Sequence, residues 1–136
     1  MLYAAVVRTL RRMADHERKV VVNLATGHED ADRVTVAFLV ATAAQAKGRE
    51  VVMFLTKEAV RLGLPGYGEA IESAGAPPVS RLFEQFREGG GELLVCPICF
   101  DARRLDKDTL VSNARIAGAT PLWEWIGDDT PTVFSY

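Results

Sequence analysis

Three stretches, "KVVVNLA" (19–25), "EVVMFLT" (50–56) and "ELLVC" (92–96), are near-continuous apolar runs of strand length. A strand with one wet face alternates polar and apolar residues. Runs that do not alternate belong to strands buried on both faces, as in parallel sheets covered by helices. Helical patterns fill the intervals. "ADRVTVAFLVATAAQAK" has Asp30 placed as its N-cap and Gly48 placed to end it. It is apolar around most of its girth, so it should bury two sides, one on the sheet and one on another subunit. "VSRLFEQFRE" (79–88) sets Val79, Leu82, Phe83 and Phe86 at helical spacing. "ARIAG" (114–118) and "TVFSY" (132–136) read as two further strands. This alternation predicts one α/β domain with a mostly parallel five-stranded sheet and helices on both faces.

The connecting segments carry local signals. Residues 2–15 form an amphipathic helix, with Leu2, Val6, Leu10 and Met13 on one side and Arg8, Arg11 and Arg12 elsewhere. That helix is expected to pack on the domain or on a neighbouring subunit. It is too short and too weakly basic to favour a membrane surface. Thr56 is placed to cap a short helix, "KEAVRL". Residues 63–78 hold four glycines and three prolines. They read either as a lid or specificity loop or as a surface connection containing one short helix. Asp106 is placed to cap a helix near 107–114. Thr120 and Pro121 look like the N-cap and first residue of a last helix, "PLWEWIG", with Glu124 in its first turn. Trp123 and Trp125, two apart on that helix, point in different directions.

Charge and composition exclude several classes. The chain has 136 residues, 49% hydrophobic and 25% charged, with a net charge of −2. These values fit a globular domain with a real core and give no nucleic-acid footprint. No apolar run approaches the length of a membrane span. The first arginines follow the short apolar patch at the start, the reverse of a secretory signal. A cytoplasmic protein without membrane contact is expected. In that compartment two cysteines three apart mean chemistry or metal more often than a structural staple.

Both cysteines lie in "LLVCPICFDARR". Cys96 ends a strand, and Pro97 suits the first position of a helix. Cys96 is then the N-cap, and Cys99 lies one turn in on the same side. The unpaired N–H groups of a first helical turn favour a thiolate, and Arg103 and Arg104 add positive charge nearby. Four readings compete. A thioredoxin-like dithiol suits the strand–CPIC–helix order, yet only residues 100–136 follow the motif, too few for that fold. Zinc needs four ligands where one CxxC supplies two, and His16 and His28 have no metal-like spacing, so no metal site is expected. Two inert cysteines packed in the core are the plainest reading. A reactive thiol that carries sulfur or exchanges disulfide is the fourth. His28, Thr26 and Thr56 also fall at strand ends, where open α/β sheets build their sites. There His28 can assist proton transfer and the threonines can bind an anion or a substrate group. "TGHE" (26–29) is not a phosphate-loop signature.

"GGGELLVCPICFDARRLDKDTL" followed by "ARIAGATPLWEWIGDDTPTVFSY" resembles the DsrE/DsrF-like family, which includes the DsrE and TusD-type sulfur-relay subunits and small proteins labelled predicted peroxiredoxins. A strand rises from glycines into a cysteine, an arginine pair follows about two turns on, and a terminal strand ends in an aromatic residue. The resemblance covers residues 18–136 and leaves 1–17 as a helical extension. It implies a Rossmann-like fold, no cofactor, and assembly as a homo-oligomer, a trimer or hexamer. It implies that Cys96 carries persulfide sulfur between donor and acceptor proteins, with Arg103 and Arg104 as the family's arginine pair; His28, Thr26 and Thr56 join them as candidate substrate-binding residues by their strand-end positions. Pro97 and Cys99 stand where small apolar residues are usual, and Leu105 where a glycine often follows the arginines. Cys99 is then a resolving thiol. The alternatives are a CxxC thiol-disulfide oxidoreductase and a non-enzymatic oligomeric binding module.

Overall fold

A computed structural model of the chain describes residues 1–16 and 18–136, with the side chains of 12–17 outside the described set. Helix α1 (Leu2–His16) precedes strand β1 (Lys19–Leu24). Then come α2 (Ala31–Ala46), β2 (Glu50–Leu55), α3 (Val79–Glu88), β3 (Glu92–Val95), α4 (Pro97–Ala102), β4 (Ala114–Ile116), α5 (Ala119–Ile126) and β5 (Thr132–Ser135). The strands form one sheet in the order β4-β3-β2-β1-β5. Every neighbouring pair is parallel, with Val21 opposite Val52, Phe54 opposite Leu94, and Val21 opposite Val133. The mostly parallel expectation is met by a wholly parallel sheet.

Its two faces differ. On one, Val20, Val22 and Leu24 of β1, Met53 and Leu55 of β2, and Leu93 and Val95 of β3 pack against α2 and α3. Phe38 of α2 meets Phe86 edge-on and Phe83 at a tilt, joining the two helices. On the other face Val21, Val52 and Leu94 lie under α5, with Ile126, Leu122 and Trp125 over them. The central strands are thus covered on both sides, as their unbroken apolar runs require. Asp30 caps α2 by accepting the Arg33 N–H at 3.0 Å, and Gly48 takes a positive φ of 78° just past it, as its C-terminal position demands.

Several local expectations are corrected. Residues 107–114 hold only a single 3-10 turn (Lys107–Thr109), because Val111 N–H bonds to Gly63 rather than continuing a helix. Asp106 does cap that turn, through the Asp108 N–H. Helix α5 begins at Ala119 with Gly118 before it, so Thr120 and Pro121 lie inside its first turn. Proline is tolerated there, since the first-turn N–H groups have no intrahelical acceptor. Thr56 precedes a 3-10 helix (Lys57–Gly63), but its side chain makes no capping bond. The glycine- and proline-rich segment contains a 3-10 turn (Tyr67–Ala70) and the buried Ile71.

Among the described residues, α1 contributes no side chain to either core cluster. Leu2, Tyr3, Val6 and Leu10 are all exposed. Its described apolar side is therefore not packed on the core of its own domain. Met13 and Arg12, expected on its two sides, lie outside the described side chains. No helix among the described residues is long and apolar enough to cross a membrane.

Candidate functional site at the carboxyl edge of the sheet

Backbone bonds extend the ladder one residue past the strands. The Cys96 N–H donates to Leu55 O, Thr56 N–H to Leu24 O, Ala25 N–H to Tyr136 O and Ala117 N–H to Val95 O, all at 2.9–3.0 Å. Ala25, Thr56, Cys96 and Ala117 therefore share one level across the sheet. The loops carrying Thr26–His28, Lys57–Glu58 and Pro97–Cys99 leave from that level. This is the edge where open α/β sheets bind ligands.

Cys96 is the N-cap residue of α4 and Pro97 its first residue, and the Cys96 carbonyl accepts the Phe100 N–H at 3.0 Å. Both thiols are free and half-buried, packed against the edge of the larger core, while Ile98 between them is exposed. Gly118, after β4, faces Pro97: a Cβ there would stand in ordinary contact with the proline ring, at 3.4 Å.

The turn after Cys99 is tied to the loop after β2. Glu58 accepts from Arg103 Nε at 2.6 Å with one carboxylate oxygen and from Arg61 Nε at 2.9 Å with the other. Arg103 also donates to the Cys99 carbonyl at 3.1 Å. The Arg103 hydrogen bond, then that of Arg61, holds the Glu58 carboxyl below the ordinary glutamate value. Arg104 is directed elsewhere. It is exposed and carries a positive φ of 54°, as Lys57 does at 50°. Left-handed backbone at a residue with a Cβ costs about 1–2 kcal/mol. Both instances lie on turns beside this edge, where such strain tends to collect.

A second cluster forms around Tyr67. Its hydroxyl accepts the His28 N–H at 3.0 Å, and its ring stacks on the His28 ring at 3.9 Å, nearly parallel. His28 Nε2 lies 2.9 Å from the Tyr67 carbonyl. A carbonyl only accepts, so Nε2 is the donor in this contact. Burial pushes the Tyr67 phenol above its ordinary value. The hydroxyl sits against Gly27, where any Cβ would overlap it. Thr26 Oγ1 is buried with no hydrogen-bond partner among the described residues.

The fold thus brings Cys96, Cys99, Arg103, Thr56, Thr26 and His28 to one sheet edge and turns Arg104 outward. The sequence reading missed Glu58, Arg61 and Tyr67. The Glu58–Arg61 spacing was a visible signal. Tyr67, an aromatic residue inside a glycine-rich run, gave only a faint one. A cavity of about 170 Å³ is lined by Leu62, Leu64, Phe83 and Val111 among others, and neither cysteine reaches it. Among the described residues no three His, Cys, Asp or Glu side chains converge as a metal cluster would.

No curated protein matches the chain. Among solved structures, the ychN protein from E. coli superposes with a TM-score of 0.70 at 17% sequence identity, over 88% of this chain and 99% of that one. That likeness is one of fold, a parallel sheet clothed by helices. The model of the DsrE/DsrF-like family matches residues 18–132, from the start of β1 to the start of β5. The chain therefore belongs to the DsrE/DsrF-like family.

Proposed function

We propose that this protein handles sulfane sulfur, with Cys96 as the carrier and Cys99 as its resolving partner. The observation that carries the reading is the position of Cys96: half-buried, at the end of a central parallel strand, with Cys99 one turn along the same short helix. Family membership supports a sulfur-relay role in general terms. In the loading step the Cys96 thiolate attacks the outer sulfur of a donor persulfide. A new S–S bond forms on Cys96 and the donor leaves as its thiolate. In the release step either an acceptor thiolate takes the outer sulfur, or the Cys99 thiolate attacks Cys96 Sγ. The latter expels hydrosulfide and leaves a Cys96–Cys99 disulfide. Exposed Ile98 gives a protein donor or acceptor an apolar contact between the two thiols. A homo-oligomer working in the cytoplasm is part of the same proposal.

The CPIC turn at a helix start also supports a plain dithiol oxidoreductase. Intact mass after polysulfide treatment separates the two. Sulfur transfer predicts a +32 Da adduct on wild type, absent in Cys96→Ser and longer-lived in Cys99→Ser. If Cys99→Ser, which cannot resolve a persulfide, gains no +32 Da adduct while wild type loses 2 Da, the dithiol reading replaces it.

A further inference from the structure

Both cysteines take their positions from one short segment, the end of β2 and the residues just after it. The Cys96 N–H donates to Leu55 O at 3.0 Å, which ties Cys96 to the last residue of β2. Cys99 is reached from Glu58, three residues further on, through Arg103. One oxygen of the Glu58 carboxylate accepts from Arg103 Nε at 2.6 Å, and Arg103 Nη1 donates to Cys99 O at 3.1 Å. The other oxygen accepts from Arg61 Nε at 2.9 Å, so the carboxylate is held at both ends.

Helix α4 depends on such a strut. It has six residues, of which Phe100 alone is buried. A helix this short has little stability of its own, and the last carbonyls of any helix lack an intrahelical donor. The Arg103 N–H turns to Phe100 O at 3.2 Å, not to Cys99 O as one more α-helical bond would require. The guanidinium of the same residue supplies the missing donor. Two of its three nitrogens are thereby committed to the protein, which marks Arg103 as a support rather than a free anion site.

We propose that Glu58 is a positioning residue: acting through Arg103, it holds Cys99 against Cys96 for the step in which Cys99 resolves a sulfur adduct on Cys96. This rests on the reading of Cys96 as carrier and Cys99 as resolving thiol. In that step the Cys99 thiolate attacks Cys96 Sγ. The Cys96–Cys99 bond forms, the bond from Cys96 Sγ to the outer sulfur breaks, and hydrosulfide leaves with the electron pair. The nucleophile must be aligned with the breaking bond, and misplacing it by an ångström can cost about a hundredfold. Loading of Cys96 does not use Cys99, so the strut bears on release alone. A purely electrostatic role predicts the opposite sign. The carboxylate offsets the charge of Arg103, so its removal would favour the Cys99 thiolate and speed release.

The test follows release by intact mass. Reduced full-length protein is loaded briefly with polysulfide, desalted and sampled over time. A parallel series starts from a glutathione mixed disulfide on Cys96, which Cys99 resolves by the same attack with glutathione thiolate as the leaving group. Glu58→Gln and Arg103→Lys are each expected to slow loss of both adducts roughly tenfold, with the rate of loading unchanged. Lysine keeps the charge but lacks the fork that reaches two acceptors. In a Cys99→Ser background neither substitution should alter the lifetime of either adduct. Release from Glu58→Gln as fast as from wild type, or faster, overturns the proposal. So does an equal slowing in the Cys99→Ser background, which marks a disturbance of Cys96 or of the whole edge. If Cys99→Ser takes up no sulfane sulfur while the glutathione series behaves as expected, the strut stands and the sulfur-carrier reading alone falls. A Cys96 that takes up neither adduct overturns both.

Discussion

At the scale of single residues, Glu58 is the hinge of the site. One carboxylate holds two guanidiniums, and one of these holds the Cys99 carbonyl. The pairs are about a third exposed, so solvent screening limits their worth to under about 1 kcal/mol. Because Arg103 and Arg61 lower the folded-state value, the contribution is present above the unfolded glutamate value of about 4.3. It is lost as pH falls through the lower folded value. Glu58→Gln should therefore melt a few degrees below wild type at pH 7, and the gap should close toward pH 3. A gap that persists at pH 3 would mean the effect is packing rather than charge. The cysteines and Arg103 were legible in the sequence, because a CxxC beside a strand end is a local pattern. The bond of Glu58 to Arg103 and the stacking of Tyr67 on His28 were not. The partners lie 45 and 39 residues apart, and no periodicity reports such a distance.

At the scale of elements, the turn from α3 into β3 sets where Cys96 comes to rest. Gly91 N–H bonds to Phe86 O at 2.9 Å, and a Cβ on Gly91 would overlap the Phe86 ring. Phe86 is fully buried and joined edge-on to Phe38, so it has little room to yield. Gly91→Ala should destabilise the protein by about 1–3 kcal/mol through overpacking, measured by urea unfolding. An unchanged midpoint would show that the ring moves freely. The long elements were readable from pattern: α2 from its cap and girth, the strands from unbroken apolar runs. The short ones were misread for a shared reason. In 107–114 the cap-like Asp106 was present, but the Val111 N–H bonds to the distant Gly63 carbonyl, and around Thr120 the helix starts one residue earlier, at Ala119 after Gly118.

At the scale of the whole molecule, stability is lopsided. The face covered by α2 and α3 contains the large buried aromatics Phe38, Phe86 and Phe100, whereas α5 covers a thin layer of Val21, Val52 and Leu94. Phe38→Ala should cost about 3–5 kcal/mol and Ile126→Ala, at the margin of the thin layer, nearer about 2, compared by chemical denaturation. Equal losses would mean that the two layers unfold as equals. By itself the sequence determined the class of fold, the parallel sheet and the end of the strand at which the thiols lie. Burial on two faces and helical capping are written in neighbouring residues. Only the tertiary structure decided which side chains meet Cys99 through Arg103, that Tyr67 stacks on His28, and that α1 stands clear of its own core. Those outcomes depend on residues far apart in the chain, brought together by the order in which the strands pair.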